Sequence, residues 1–293
     1  MNLDTLKYLI VPDVHGRKFW ERAVKEVLEK TDKKIIFLGD YLDPYQYEEI
    51  YPNDAIREFK RVLEVKKENP DRVILLLGNH DVENLDPKAH KCRFDYVNAE
   101  SNAKLYEDNK DLFDFVYIDE IDGKTFVFSH AGFNPGWFVA NAAIIPYFDI
   151  LPDECSDDEL WKAVKNPDVI LKTNWKDLYF NGTREQKHMF NDVSYWRGGG
   201  EQFSSPIWAD VKESINILDR EPIDVVQIVG HSQQESKPVR FDDKLYCLDV
   251  RRCFILTENG TVTELDGSEL ENNGKAILDE YFDAVKKGFG LFL

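Results

Sequence analysis

Five short blocks rich in Asp, His and Asn carry the residue types of this chain that bind metals and move protons. They are Asp13-Val14-His15-Gly16, Gly39-Asp40-Tyr41-Leu42-Asp43, Gly78-Asn79-His80-Asp81, Ser129-His130-Ala131-Gly132 and Gly230-His231-Ser232. Carboxylate, imidazole and carboxamide donors without thiolate suit Mn, Fe, Zn or Ni better than a structural zinc cage. Asp13 and His15, two apart where a strand ends, can point into one site if the backbone turns at Gly16. Asp40 follows Gly39, which allows close backbone approach, and a carboxylate there can bridge two cations.

Each block directly follows an apolar, strand-like run: residues 8–11, 35–38, 73–77, 126–128 and 225–229. Strand ends converge in space however distant they are in sequence, and the mouth of a sheet is where α/β proteins place ligands. The blocks are therefore expected to form one site. Helical spacing of Trp20, Ala23, Val24, Val27 and Leu28 predicts a helix after the first block. Asn53 is the expected N-cap of a second helix, which Pro70 ends. Residues 87–109 are polar and helix-compatible, and residues 115–118 and 125–128 read as a hairpin across Asp122-Gly123. Residues 134–220 lose this alternation, are rich in Trp and carry Gly198-Gly199-Gly200, the pattern of an insertion or cap. Short strands return over 225–229, 245–249, 253–257 and 261–265, and a last helix is expected over 276–289.

A chain of 293 residues with 43% hydrophobic content can build one large α/β domain. A formal charge of -18 argues against stable nucleic-acid binding, which normally needs a basic face. Bound cations would reverse the local potential, so an acidic chain can still handle an anionic substrate. Cys92, Cys155, Cys247 and Cys253 show neither CxxC pairing nor zinc-ribbon spacing and are expected as free thiols. No stretch reaches membrane-spanning length, and residues 1–11 lack the features of a secretory leader. A cytoplasmic protein without membrane association is expected.

The series D-x-H-G, G-D-x-x-D, G-N-H-D, S-H-A-G and G-H resembles the metallophosphoesterase superfamily, the calcineurin-like phosphoesterases, and within it the branch resembling Ser/Thr phosphoprotein phosphatases. Ile207-Trp208-Ala209-Asp210 and Tyr246-Cys247-Leu248-Asp249 are weaker echoes of that branch. The resemblance implies a four-layer αββα sandwich of two mixed sheets flanked by helices, as a single domain over residues 1–293 with 134–220 as its insertion. It implies two divalent metal ions, manganese foremost with Fe, Zn or Ni as alternatives. Asp13, His15 and Asp40 would hold the first; Asp40, Asn79, His130 and His231 the second. A hydroxide bridging the ions would attack phosphorus in line, with His80 as general acid and Asp43 orienting it.

Two departures bear on substrate. Pro44 stands where phosphoprotein phosphatases usually carry a phosphate-gripping Arg, which weakens the case for a protein substrate. Gln233 stands where many superfamily members have a second His; the phosphoprotein-phosphatase branch lacks that His too. Substitute clamps are expected among Arg17, Arg197, Arg251 and Arg252, with Arg197 favoured because the neighbouring glycines let backbone amides approach an anion. The expected activity is hydrolysis of a phosphate monoester on a small molecule, nucleotide or phosphoprotein. Alternatives are a phosphodiesterase or nucleotide pyrophosphatase, and a non-catalytic metal-binding scaffold, against which intact Asp43 and His80 argue. Any block alone reads as a capped turn, because Gly, Asp and Asn favour turns; five in order after five strands do not. His90, His188, the Trp-rich middle and the acidic residues 153–159 are expected to be structural or solvated.

Overall fold

In the computed structural model, residues 5–86, 88–89, 92–152 and 155–265 are described; the helix expected over 276–289 and His90 lie outside them. Near-continuous apolar runs form the central strands because both faces of each are covered. In β1 (Leu6–Val11), Leu9 and Val11 face one side while Tyr8 and Ile10 face the other. β1, β2 (Lys34–Phe37), β3 (Val73–Leu76) and β4 (Phe113–Asp114) pair in parallel. The second sheet contains β5 (Val116–Ile121), β6 (Lys124–Ser129), β7 (Val226–Val229), β8 (Val239–Phe241) and β9 (Leu245–Cys247). Its order is β5-β6-β7-β9-β8, with β6, β7 and β9 parallel. β10 (Phe254–Thr257) and β11 (Val262–Glu264) return to the first sheet, giving β11-β10-β1-β2-β3-β4. Both sheets are mixed.

Ile10, Ile36 and Leu76 of the first sheet meet Phe128, Ile228 and Tyr246 of the second. On the outer face of the first sheet, α1 (Glu21–Lys30) and α2 (Pro52–Glu68) pack Val24, Val27, Phe59 and Leu63. Tyr51 rather than Asn53 caps α2, because Pro52 has the φ of a first helical residue and no N–H to satisfy. α3 (Asn79–Leu85) begins directly on the third block. Of residues 87–109, those from Ala99 to Glu107 form α4, and the loop before it carries Cys92 and Arg93. The Asp122-Gly123 hairpin has φ of 49° and 73°, the two left-handed positions of a type I′ turn. Strand β8, only three residues long, gave no periodic signal in the sequence.

The aromatic-rich segment folds into α5 (Pro135–Asn141), α6 (Asp157–Val164), α7 (Asp168–Leu171), α8 (Trp175–Phe180) and α9 (Arg184–His188), with short 3₁₀ turns after α5 and after α9. Trp137 and Trp175 are buried against Phe133, Phe138 and Phe190, so these indoles are packing residues. α10 (Val211–Arg220) covers the second sheet through Val211 and Leu218 against Val229 and Leu245. The layers run helix, sheet, sheet, helix. Among the described residues no helix is long and apolar enough to cross a membrane.

Candidate active site

All five blocks lie where a strand ends, and the backbone there is forced into unusual conformations. His15, Asp40, Asp43 and His231 have φ of 44°, 54°, 58° and 61°. Left-handed conformations in residues other than glycine cost about 1–3 kcal/mol each and persist only where neighbours impose them. Asp81 supplies that constraint at Asp40. Its Oδ2 accepts from the amides of Asp40 (2.8 Å) and Gly78 (2.7 Å), and its Oδ1 from Tyr41 N (3.1 Å) and the Tyr106 hydroxyl (2.5 Å). One buried carboxylate thus ties the loop after β2 to the loop after β3. Burial and the nearby Asp40 carboxylate push Asp81 up to about 6, against the pull of those donors. Glycine is required at two close approaches. A Cβ at Gly78 would sit 2.2 Å from Asp40 Oδ1, and one at Gly230 would sit 2.1 Å from Asp13 Oδ1.

The expected ligands converge. His130 Nε2 lies 3.1 Å from Asn79 Oδ1, 3.1 Å from His231 Nδ1 and 3.4 Å from Asp40 Oδ2. Asp40 Oδ2 is also 3.5 Å from His15 Nε2, so this carboxylate belongs to both clusters. Metal–ligand bonds of about 2.1 Å place neighbouring donors roughly 3.0–3.5 Å apart, the spacing found here. The rings are aimed by carbonyls: His15 Nδ1 bonds Leu42 O at 2.7 Å and His130 Nδ1 bonds Leu38 O at 2.8 Å, leaving each Nε2 for the site. Asp13 is buried, and its carboxylate accepts from His231 N at 2.9 and 3.1 Å. His231 Nε2 is buried with no hydrogen-bond partner among the described residues. The oxygen and nitrogen donor set fits divalent cations.

Protons stand in for cation charge in the metal-free chain. Burial pulls His130 down, but the Asp40 and Asp13 carboxylates outweigh it and raise it to about 9. Burial, Arg197 and His130 hold His231 well below the usual imidazole range, as burial does His15. An imidazolium at His130 can therefore donate to a neutral His231. Burial, reinforced by Asp249 and Asp40, pushes Asp13 up to about 8.

His80 stands beside the ligands, its ring 5.0 Å from that of His15, with Nδ1 3.1 Å from Asp43 Oδ2. Burial disfavours its charged form, yet Asp40 and the Asp43 hydrogen bond raise it well above the imidazole range. Arg93, not singled out in the sequence, enters here. Its Nη2 is 3.1 Å from His80 Nε2 and 3.3 Å from His15 Nε2, and its guanidinium lies 3.6 Å from the centre of the Tyr45 ring. Arg197 also reaches the rim, with Nη2 2.7 Å from Ser232 Oγ and Nε 3.0 Å from Asp210 Oδ2.

Arg17 requires a correction. Its donors are engaged by Glu48, at 2.7 and 3.0 Å, and by Asp13 O at 3.2 Å, so it braces the first block instead of offering a free clamp. Arg251 joins the same Glu48, and Arg252 pairs with Glu264. The buried Arg17–Glu48–Arg251 network follows from chain crossings that no local motif reports.

A family model described as calcineurin-like phosphoesterase matches residues 6–235, from β1 through all five blocks. The chain belongs to that family. A curated relative, the serine/threonine-protein phosphatase 4 catalytic subunit of Eremothecium gossypii, is 25% identical over 127 residues, 43% of this chain. The chain spans only 38% of that relative's length. Among solved structures, a cold-active protein tyrosine phosphatase is similar with a TM-score of 0.49 and 18% identity, over 89% of this chain and 79% of that one. A serine/threonine phosphatase from Saccharomyces cerevisiae also has a TM-score of 0.49, at 10% identity over 92% of this chain and 82% of that one. This calcineurin-like phosphoesterase has a further buried carboxylate, Asp249, whose Oδ1 has no hydrogen-bond partner among the described residues. It sits in the field of Arg17, Arg251 and Asp40. Its block, just after β9, is one of the two weaker echoes in the sequence.

Proposed function

We propose that this chain is a dinuclear-metal-dependent phosphatase that hydrolyses a phosphate monoester, with His80 as general acid. Asp13, His15 and Asp40 would hold one cation, and Asp40, Asn79, His130 and His231 the other. Two divalent cations there would supply positive charge for phosphoryl oxygens and a water acidic enough to act as nucleophile. The observation that carries the proposal is the His80–Asp43 pair, 3.1 Å apart, set against the ligand cluster. Asp43 on Nδ1 leaves Nε2 as the nitrogen that holds a transferable proton. That proton goes to the leaving oxygen.

Arg93 takes the clamp role that Pro44 vacates. Its guanidinium is stacked on Tyr45, its Nε donates to Asp43 O at 3.4 Å and its Nη2 lies between His15 and His80, so a phosphate entering beside His80 would meet the Nη2 donor. Arg197 would contact the same anion from the His231 side. The ligand set admits manganese, iron, zinc or nickel, and manganese is proposed first. The proposed substrates are phosphorylated small molecules, nucleotides or phosphoproteins. The cytoplasm is the proposed compartment, which the four free thiols support.

One observation favours a second reading. Tyr195 and Trp196 are stacked at 28° and exposed directly before Arg197, a surface on which a nucleotide base could lie. A phosphodiesterase or nucleotide pyrophosphatase would use it. Turnover of p-nitrophenyl phosphate, bis-p-nitrophenyl phosphate and a dinucleotide polyphosphate by manganese-loaded protein separates these readings. The monoester should be preferred, and His80→Ala should lower its kcat by about 100-fold or more. Equal or better diester turnover would overturn the monoester assignment. Absence of turnover on all three, unchanged by His80→Ala, would leave a binding scaffold.

A further inference from the structure

Cys92 lies outside the sequence blocks, yet its side chain reaches the nitrogen of His80 that Asp43 leaves free. Its Sγ is 3.4 Å from His80 Nε2 and 3.2 Å from Glu83 Oε1. His80 and Glu83 are one helical turn apart on α3, and both are buried. The Cys92 amide donates to the same Glu83 oxygen at 3.0 Å, so the loop holds the sulfur over that helix. Cys92 is only half-buried, which leaves a route from solvent. One nitrogen, one sulfur and one carboxylate oxygen lie within 4.8 Å of one another.

From this geometry we propose a third cation site, formed by His80, Glu83 and Cys92, that takes a borderline-soft divalent ion of the zinc class and inhibits the enzyme. In a tetrahedral shell with bonds of about 2.0–2.3 Å, neighbouring donors are roughly 3.2–3.7 Å apart. The two separations made by Sγ fall in that interval. Three protein donors leave a fourth position for solvent. A thiolate ligand selects zinc or cadmium over magnesium or calcium and distinguishes this cluster from the nitrogen–oxygen sites of the five blocks. Charge also agrees: a Cys92 thiolate and the Glu83 carboxylate together balance a divalent ion. On binding, the Sγ–H proton and any proton on His80 Nε2 pass to solvent.

Inhibition rests on the proposed role of His80. An ion on Nε2 occupies the lone pair that would otherwise carry the transferable proton. It also competes with Arg93, whose Nη2 is 3.1 Å from that nitrogen, and so releases the guanidinium from its place beside His80.

Cadmium is the probe, because a cadmium–thiolate bond has its own ultraviolet charge-transfer absorption. Protein loaded with two manganese ions is titrated with cadmium while absorption and p-nitrophenyl phosphate turnover are followed together. The expected result is one further cadmium per chain, a thiolate band, and loss of turnover with the same midpoint. Cys92→Ser should keep basal turnover but lose the band and raise the inhibitory midpoint at least tenfold. Cys155→Ser, which removes the other half-buried thiol, should behave as the parent. Equal inhibition of Cys92→Ser and parent, or a band that persists in Cys92→Ser, would overturn the site. If the protein proves to have no phosphatase activity, the Cys92-dependent band and stoichiometry still test the site by themselves.

Discussion

Metal uptake by the five-block site should release about two protons at neutral pH. The metal-free chain holds one on His130, raised to about 9, and one on Asp13, raised to about 8. Neither group can keep its proton while coordinating a cation. Each proton displaced makes the apparent association constant tenfold stronger per pH unit, about 1.4 kcal/mol. Between pH 6 and 7 both groups are protonated, so affinity should rise about 100-fold per pH unit; the slope should fall to about tenfold between 8 and 9, then flatten. Calorimetric titration of manganese into metal-free protein, in buffers of differing ionisation enthalpy, gives the proton count and the affinity together. Asp13→Asn should remove one proton from the count. Fewer than one proton released at pH 7, or an affinity independent of pH from 6 to 8, would refute the assignment of protons to these two residues. The same shifts act on stability. His130 is raised from an ordinary 6.5, so its contribution is complete below pH 6.5 and is lost as pH rises through about 9. Asp13, held protonated well above 3.8, works in the same direction up to about 8. The metal-free protein should therefore lose stability from pH 6.5 to 8, by about 3 kcal/mol from the two groups together.

Asp81→Ala should destabilise the metal-free protein by about 3–5 kcal/mol, because it strands three buried backbone amides and the Tyr106 hydroxyl. Urea denaturation measures this; a loss under 1 kcal/mol would show that Asp81 is not the tie between the two loops. Arg93→Ala should weaken inhibition by inorganic phosphate and raise KM by about 10–100-fold while kcat changes less, with partial recovery in Arg93→Lys. An unchanged phosphate inhibition constant would remove Arg93 from the clamp.

The clustering of the proposed ligands was legible because each lies in a short block at a strand end, where local pattern and topology agree. Asp40, Asn79 and His130 needed only their strands to be placed. The two-sheet core was legible for the same reason, since runs such as residues 35–38 and 73–77 are apolar on both faces. Arg93 was not legible. It comes from an irregular loop that folds back 78 residues in sequence to reach His15, and nothing local distinguishes it from other surface-type arginines. Arg17 misled for the complementary reason: it adjoins a metal block, but Glu48 and Arg251, distant in the chain, take up its position in a buried ion network. The Trp-rich segment showed its composition but not its helices, because helices of four to eight residues are too short to show a clean 3.6-residue stripe. Asp81 was visible within its block, but its task depends on four donors converging from β2, β3 and α4.

That task bears on how the site forms. Four left-handed residues in the blocks carry about 1–3 kcal/mol of strain each, and bound cations are one source of compensation. A site that relied on them would be disorganised without metal, as small zinc domains are. Here compensation is already present in the protein. Asp81 fixes the Asp40 turn, Asp13 fixes the His231 turn through that residue's amide, and the carbonyls of Leu38 and Leu42 fix two imidazoles. Each tie joins a block to a different strand end, so the αββα core holds the geometry of the proposed ligands without needing an ion. Ion binding then exchanges protons for cations within a preformed frame, which is why its pH dependence should be steep while its effect on the fold remains small.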